Sequence, residues 1–216
     1  MWTRQPFSFS CSIDASMKEK DLESLASKAK EYGASSANPI QAADVMVDER
    51  VRLKCLVPRC EHYSRNLMCP PNLSGLDEMR KTLSRYKFGI VLQFPIGLNQ
   101  GQVSKEFKGK NVGELMEEKD YRKRMRASMK AMMESLARLE KDALSMGYPF
   151  AAALSGGCCS LCDDCAGPGG ECRHPFLSRP SMEAMGIDAA ATARKAGLEV
   201  LWPPKEPLWT CLLLVD

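Results

Sequence analysis

The segment GGCCSLCDDCAGPGGECRHP, residues 156–175, contains five cysteines in a stretch of fifteen residues. Cys159, Cys162 and Cys165 form a C-x2-C-x2-C run, and Cys172 follows after six intervening residues. Bacterial iron–sulfur proteins use such a run to bind three corners of a [4Fe–4S] cluster. A zinc site usually needs only one C-x2-C pair in each half, so a third cysteine at the same spacing favours a cluster. We therefore predict a [4Fe–4S] cluster here, with zinc as the alternative.

The gap before Cys172 is longer than the three residues of the bacterial run, whose fourth cysteine often binds a different cluster. The gap contains three glycines and a proline: Gly167, Pro168, Gly169 and Gly170. Glycine-rich backbone is conformationally permissive, so this loop could bring Cys172 back to the same cluster.

A second set of thiols lies upstream in CLVPRCEHYSRNLMCPPN, where Cys55, Cys60 and Cys69 occur at C-x4-C-x8-C. Stiff prolines in this loop would help to preorganise ligands, although three ordinary buried thiols are the alternative. Cys158 points away from its neighbour Cys159, because adjacent side chains diverge, so it is free to serve a second centre. We predict a second [4Fe–4S] cluster whose fourth iron either binds Cys158 or stays open to substrate. The first arrangement implies electron transfer and the second implies catalysis.

The remaining histidines and cysteines have alternative interpretations. His62 and His174 each follow a candidate cysteine by two residues, so they could complete a mixed zinc site, donate a hydrogen bond to cluster sulfur, or lie on the surface. Cys11 and Cys211 stand alone and are interpreted as packing residues.

Three features near these segments have both a structural and a functional interpretation. Ser181 and the following Glu183 predict a capped helical turn or a contact to the cysteine loop. Arg179 could offset the negative charge of a cluster. The basic run at 119–126 (Lys119, Arg122, Lys123, Arg124, Arg126) predicts either a solvated helix face or a docking surface for an acidic electron-transfer partner.

Composition limits the classes that fit. The chain has 216 residues, ten cysteines and a formal net charge of +3, with 44% hydrophobic and 26% charged residues. This length can form one core without disulfides, and the cysteine content is below that of disulfide scaffolds. No signal-like or membrane-spanning apolar run occurs, and the charge is too small to indicate nucleic acid. We therefore expect a cytoplasmic protein without a nucleic-acid or membrane partner, in which clustered cysteines bind metal. The oligomeric state stays open.

The elements predicted around these residues form a single α/β domain over residues 1–216. Its mixed sheet is flanked by helices, with a cysteine-rich lobe at one end formed by the loops at about 55–72 and 156–180. Apolar residues at helical spacing predict helices at 17–32, about 76–86, about 113–146 and, as a pair or a bent helix, 181–197. Alternating or continuous apolar runs predict strands at 43–55, 87–96, 149–157, 198–204 and 208–216.

Two blocks of the sequence resemble a family of predicted metal-binding proteins of unknown function from anaerobic bacteria and archaea, including methanogens. The first block is LKCLVPRCEHYSRNLMCPPN and the second is CSLCDDCAGPGGECRHPFLSRPSMEAMGID. The residues that carry the resemblance are Cys55, Cys60, Tyr63, Cys69, Pro70, Pro71, Cys159, Cys162, Cys165, Cys172, Pro175, Arg179, Pro180, Ser181, Glu183, Ala184, Gly186, Ile187 and Asp188. With the weaker pattern between them, the blocks cover most of the chain. The resemblance implies metal or cluster binding in an anaerobe, without an established reaction.

Three functions fit these observations. The chain could be an iron–sulfur protein that passes electrons to a partner enzyme in anaerobic metabolism. It could be an enzyme that uses an open iron as Lewis acid on a small sulfur- or oxygen-containing substrate. It could also be a zinc-stabilised interaction module. Neither a phosphate-binding glycine loop nor a serine–histidine–acid set can be assembled from the sequence, so no substrate is identified.

Overall fold

The computed structural model describes residues 15–96, 114, 117–200 and 207–216. The helices are α1 (Ala15–Glu31), α2 (Glu49–Leu56), α3 (Leu76–Leu83), α4 (Lys119–Ser145) and α5 (Ala189–Lys195), with a short 3-10 turn at Ala42–Asp44. The strands are β1 (Ser36–Gln41), β2 (Phe88–Pro95), β3 (Ala152–Leu154) and β4 (Leu208–Val215). The predicted α/β class is confirmed.

The four strands form one sheet in the order β1-β2-β4-β3. Every neighbouring pair is antiparallel, with Ser36 opposite Gln93, Phe88 opposite Val215 and Ala152 opposite Leu214. The sheet of the described strands is therefore antiparallel, whereas the sequence analysis expected a mixed sheet. Strand β1 was not predicted, because its sequence SANPIQ is short and contains Pro39. Proline is tolerated there because β1 is an edge strand.

Helices cover both faces of the sheet, so most residues of the two central strands are buried. Along β2 the residues alternate between two cores: Ile90 and Leu92 pack toward α1 and α4, and Val91 packs toward α3 and α5. An antiparallel sheet often leaves one face in water and then shows alternating polarity. Here both faces are covered, so β2 and β4 have continuous apolar sequences that identified them as strands but did not indicate their direction.

The long helix α4 supplies much of the first core through buried Met129, Met132 and Met133. These methionines therefore serve as core packing residues. No described helix is both long and apolar enough to cross a membrane.

The predicted strand at 43–55 is wrong, because residues 49–56 form helix α2. Its N-cap is Asp48, whose side chain accepts a 2.8 Å hydrogen bond from the Arg50 N–H. The alternation that predicted a strand does not reflect alternating burial, since Leu53 is 54% exposed. Cys55 therefore lies in the last turn of a helix and not at the end of a strand.

The other predicted elements have mixed outcomes. The segment 181–197 contains a turn followed by α5, and Asp188 caps this helix by accepting a 2.8 Å hydrogen bond from the Ala191 N–H. In the predicted strand at 198–204, residues 198–200 are irregular and the rest lies outside the described residues. Cys11 also lies outside them.

Candidate metal centre

The end of α2 and the loop after it place three cysteines, Cys55 in the helix and two in the loop, by a series of tight turns. The Cys60 N–H donates to the Cys55 carbonyl at 3.0 Å, and the Cys69 N–H donates to the Asn66 carbonyl at 3.0 Å. Between them, Ser64 has a positive φ of 62° and donates its N–H to the Pro70 carbonyl at 2.8 Å. These bonds close the loop on itself, so Cys55, Cys60 and Cys69 are held together although they span fifteen residues.

Asn66 joins this loop to the second cysteine segment. Its side chain is 5% exposed, and its Nδ2 donates to the Cys159 carbonyl at 2.8 Å. Its Oδ1 accepts from the Met68 N–H at 2.9 Å, which fixes the orientation of the amide. Next to it, the Leu67 N–H donates to the Cys165 Sγ at 3.4 Å. The two cysteine loops are therefore one packed unit.

Strand β3 delivers the second segment into this unit, as the sequence predicted. The Ser155 N–H donates to the Pro180 carbonyl, and the Ser155 carbonyl accepts from the Met182 N–H, each at 2.9 Å. Gly157 has a φ of +69°, and a Cβ on it would lie 2.5 Å from the Trp209 ring. Only glycine fits this approach, and the backbone turn it permits leads directly to Cys158 and Cys159.

Thiols from the two loops lie close enough together to raise the pKa values of Cys69 and Cys158. Burial raises the pKa of Cys69 to about 12, and Cys158, Cys60 and Cys55 are the strongest further contributors to that rise. Burial likewise raises the pKa of Cys158 to about 11, and Cys60 adds to the increase. A nearby negative charge raises a thiol pKa, so these groups are neighbours. We call Cys55, Cys60, Cys69 and Cys158 the upstream cysteine group.

The other four thiols form a second set. Burial raises the pKa of Cys159, and Cys172, Cys162 and Cys165 raise it further, while a hydrogen bond from the Leu161 N–H lowers it. Cys172 Sγ accepts from the His174 N–H at 3.4 Å and lies 3.3 Å from Ser178 Oγ. We call Cys159, Cys162, Cys165 and Cys172 the downstream cysteine group. The structure thus brings together the residues of both predicted sites, and Cys69 also influences Cys159, which places the groups side by side.

The spacing of these donors bears on what they could hold. Within the described residues, no three His, Cys, Asp or Glu side chains converge as the ligands of a single metal ion. Four thiolates on one zinc lie about 2.3 Å from it, so they must crowd together. A cluster is larger, because each thiolate binds a different iron and the inorganic core separates them. The described thiols are therefore not arranged as the closed ligand shell of a single ion.

The charged side chain near the upstream cysteine group is not Arg179, which the sequence analysis proposed. The predicted Arg179 is paired with Glu140 of α4, with Nε 3.0 Å from Oε1, and does not face the cysteines through any described hydrogen bond or ion pair. Arg52 of α2 does interact with Cys55, and its guanidinium donates to the Ala184 and Ser74 carbonyls at 3.1 and 2.9 Å. Arg52 is therefore a cation close to Cys55, and the sequence analysis did not propose it because α2 was predicted as a strand.

Glu183 lies beneath the start of the second segment. Burial raises its pKa, while hydrogen bonds from the Glu183 N–H, the Ser181 hydroxyl and the Gly157 N–H lower it. Its Oε2 is buried without a hydrogen-bond partner among the described residues. The Ser181 Oγ accepts from the Ala184 N–H at 3.0 Å, so the predicted capped turn is present as well. Both interpretations of this pair therefore have a counterpart in the structure, and Glu183 holds the backbone just before Cys158.

The two histidines have no convergent ligand geometry. His62 Nε2 lies 3.5 Å from Glu61 Oε1 at the surface of the first loop. His174 is exposed, and it reaches Cys172 through its backbone N–H and not through its imidazole.

Cys211 is fully buried, with its thiol donating to Met132 Sδ at 3.2 Å, so its interpretation as a packing residue is confirmed. Neither Asn66 nor Ser178 was predicted, because nothing in the sequence separates them from ordinary loop residues.

Comparison with known proteins agrees with the chemistry of these thiols at a coarse level. No curated protein and no solved structure matches the chain. A family model described as "Predicted metal-binding protein (DUF2284)" matches residues 38–215, a range that includes all eight grouped cysteines. The chain therefore belongs to this family of predicted metal-binding proteins.

Proposed function

We propose that the chain is an iron–sulfur protein in which each cysteine group binds one [4Fe–4S] cluster. The observation that carries this proposal is the division of eight thiols into two sets of four, in which Cys60 raises the pKa of Cys158 more than the adjacent Cys159 does. Four thiolates are the full ligand set of such a cluster. The upstream set would be held by Cys55, Cys60, Cys69 and Cys158, and the downstream set by Cys159, Cys162, Cys165 and Cys172.

The cluster would supply reversible one-electron chemistry, and the protein's own residues would set its environment. Arg52 beside Cys55 would offset part of the negative charge of the upstream set. N–H groups of Leu67 and His174 would do the same for Cys165 and Cys172, because a hydrogen bond to sulfur stabilises the more negative, reduced state. The function that fits is transfer of electrons to a partner in anaerobic metabolism.

The grouping of Cys158 favours this function over an enzyme with an open iron. An open iron requires only three protein ligands, whereas the upstream cysteine group offers four. The nine described cysteines form no disulfide, which fits a reducing, cytoplasmic compartment. These arguments support an electron carrier without a substrate of its own.

The test is anaerobic purification followed by metal and acid-labile sulfide analysis. Two clusters predict a brown protein with about eight irons and eight sulfides per chain. About four of each would leave one group without a cluster, and zinc without sulfide would overturn the proposal in favour of an interaction module. The matched control is the Cys211→Ala variant, which removes a cysteine outside both groups and should keep the full iron content.

A further inference from the structure

A basic cleft lies between the N-terminal half of α4 and the downstream cysteine group. Its volume is about 430 Å³, and eight residues line it. One is an acid, Asp163, and two are the apolar Ala127 and Leu161. The other five are cations, here called the basic stripe: Lys119, Arg122, Lys123, Arg126 and Lys130.

The basic stripe follows from helical geometry. Its members recur at intervals of three or four residues, so they share one face of α4, over a length of about 17 Å. Met129, Met132 and Met133, which are buried in the core, lie roughly a quarter turn around the helix from the centre of the stripe. The core contact therefore fixes the direction in which the cations point.

Most of this positive charge is not neutralised by the protein. Arg126 is paired with Asp163, and Lys130 Nζ lies 3.9 Å from Glu134 Oε1. Lys119, Arg122 and Lys123 are exposed and form no ion pair within the described residues. The formal net charge of the whole chain is only +3, so this surface concentrates positive charge. Such a surface attracts and orients an acidic partner.

The position of the cleft indicates what kind of partner would use it. Leu161 and Asp163, which line it, lie inside the Cys159-to-Cys165 run. The Arg126–Asp163 pair ties α4 to that run. A protein seated on the basic stripe would therefore touch the loop of the downstream cysteine group. A compact phosphate site gathers backbone N–H groups at one point, whereas these charges extend along a helix.

We propose that the basic stripe is the docking surface for an acidic redox protein, which exchanges one electron with the chain through the downstream cysteine group. This inference rests on the proposed function for its electron-transfer part. The docking part depends only on charge and shape. Reduction of the partner by one electron is balanced by oxidation of this chain by one electron, and no proton or covalent bond changes.

The test uses an acidic plant-type [2Fe–2S] ferredoxin as the probe. Its dissociation constant is measured at low and moderate salt, and stopped-flow absorption follows its reduction by anaerobically prepared, dithionite-reduced chain after removal of excess dithionite. The test variant is Lys119→Glu, Arg122→Glu and Lys123→Glu together. Arg126 stays in place to keep its pair with Asp163. Added acids near a helix N-terminus favour the helix, so the variant should fold.

The matched control is Lys20→Glu, Lys81→Glu and Arg85→Glu together, all exposed and outside the cleft. Both variants exchange two lysines and one arginine for glutamate, so both change the net charge equally. We expect the test variant to weaken binding and slow electron transfer at least about tenfold, with the salt dependence lost, while the control stays within about threefold. Unchanged iron content in both variants would show that the clusters are intact.

Three outcomes would overturn the docking surface. They are equal losses in test and control, no loss in either, or stripe-dependent binding of a labelled single-stranded oligonucleotide that is tighter than binding of the ferredoxin. If the wild type contains zinc and no sulfide, the proposed function fails, but the binding measurement still tests whether the basic stripe is a docking surface. Stripe-dependent ferredoxin binding would then keep the docking surface, and its absence would reject it.

Discussion

The two cysteine groups differ in how the chain builds them. The downstream cysteine group comes from one contiguous loop, and neighbouring N–H groups reach Cys159, Cys165 and Cys172. The upstream cysteine group joins a loop after α2 to Cys158, about ninety residues later, and contains the most buried member, Cys69, at 6% exposure. A local site needs only its own loop, whereas a distributed site needs the fold. The comparison therefore separates a centre that the sequence encodes locally from one that tertiary structure assembles.

The two cysteine groups also differ in the hydrogen bonds and charges that surround their sulfur atoms. Among the eight grouped cysteines, the described residues provide a neighbour's N–H to sulfur only in the downstream group. The downstream group also adjoins the basic stripe, while the upstream group adjoins Arg52 and Glu183. If both bind clusters, the downstream one is stabilised in its reduced state and lies at the surface. Electrons should then run from the upstream group to the downstream group and out to the partner.

The largest expected effect comes from removing one ligand from each group. Cys162→Ala and Cys69→Ala should each lose about four of about eight irons, measured with sulfide after anaerobic preparation. Each should also unfold at lower denaturant, because a bound cluster stabilises only the folded state. The loss of stability should be larger for Cys69→Ala, because the upstream cluster joins segments far apart in the chain and closes a longer loop.

Cys211→Ala is the control for the loss of a buried thiol, since Cys211 is fully buried outside both groups. It should be destabilised but keep all its iron. Full iron in Cys69→Ala or Cys162→Ala would contradict the ligand assignment. Loss of all iron in both would contradict the independence of the two groups.

The contact between the groups is tested by Asn66→Ala. Removal of this amide leaves the Cys159 carbonyl and the Met68 N–H without their partners, at a cost of about 1–3 kcal/mol in the free energy of unfolding. Asn38→Ala is the control, because Asn38 Nδ2 donates to the Ala196 carbonyl at 2.9 Å, away from the cysteines. Both variants should lose stability, but only Asn66→Ala should lower the iron content. Equal iron in the two variants would reduce Asn66 to an ordinary structural amide.

Cys158→Ala tests whether the upstream group is complete. The variant should keep near-full iron, because Cys55, Cys60 and Cys69 still lie together in one closed loop, whereas Cys69→Ala removes a buried thiol from that loop itself. It should gain an iron that binds added cyanide or thiol. Electron paramagnetic resonance of the reduced protein should change on ligand addition in the variant and not in the wild type. A wild type that already responds would show an open iron and favour the enzyme over the electron carrier. No response in either would remove Cys158 from the ligand set.

Part of this comparison could be predicted from the sequence, and the reason is locality. The C-x2-C-x2-C run, helix α1 and the apolar strands β2 and β4 were predicted because each has its signal within a few residues. The single α/β architecture followed from these elements. Strand direction did not, because helices on both faces of the sheet remove the alternating polarity that indicates an antiparallel strand.

The wrong or missing predictions concern residues whose role depends on contacts between distant parts of the chain and not on the local sequence pattern. Helix α2 has no buried residue, and its one valine, Val51, continues the alternation begun by Val45 and Val47, so this pattern outweighed the Asp48 cap. As a consequence Arg52 was missed and Arg179 was considered in its place, although Glu140 neutralises Arg179. Asn66 and Ser178 have no pattern of their own. Their roles depend on contacts with Cys159 and Cys172 that only the folded chain creates.

The smallest expected effect concerns one hydrogen bond in the downstream group. Ser178 is buried, and its Oγ lies 3.3 Å from Cys172 Sγ, so its hydroxyl can donate to a thiolate there. Ser178→Ala removes about 1 kcal/mol of stabilisation from the more negative, reduced state. For one electron this corresponds to a potential lowered by roughly 40 mV. Redox titration followed by electron paramagnetic resonance should show one cluster shifted and the other unchanged, whereas Ser145→Ala, an exposed serine on α4 bonded to the Lys141 carbonyl, should shift neither. A shift of both clusters would mean that the groups share one electrostatic environment, and a rise in potential would mean that the hydroxyl accepts from the protein and does not donate to sulfur.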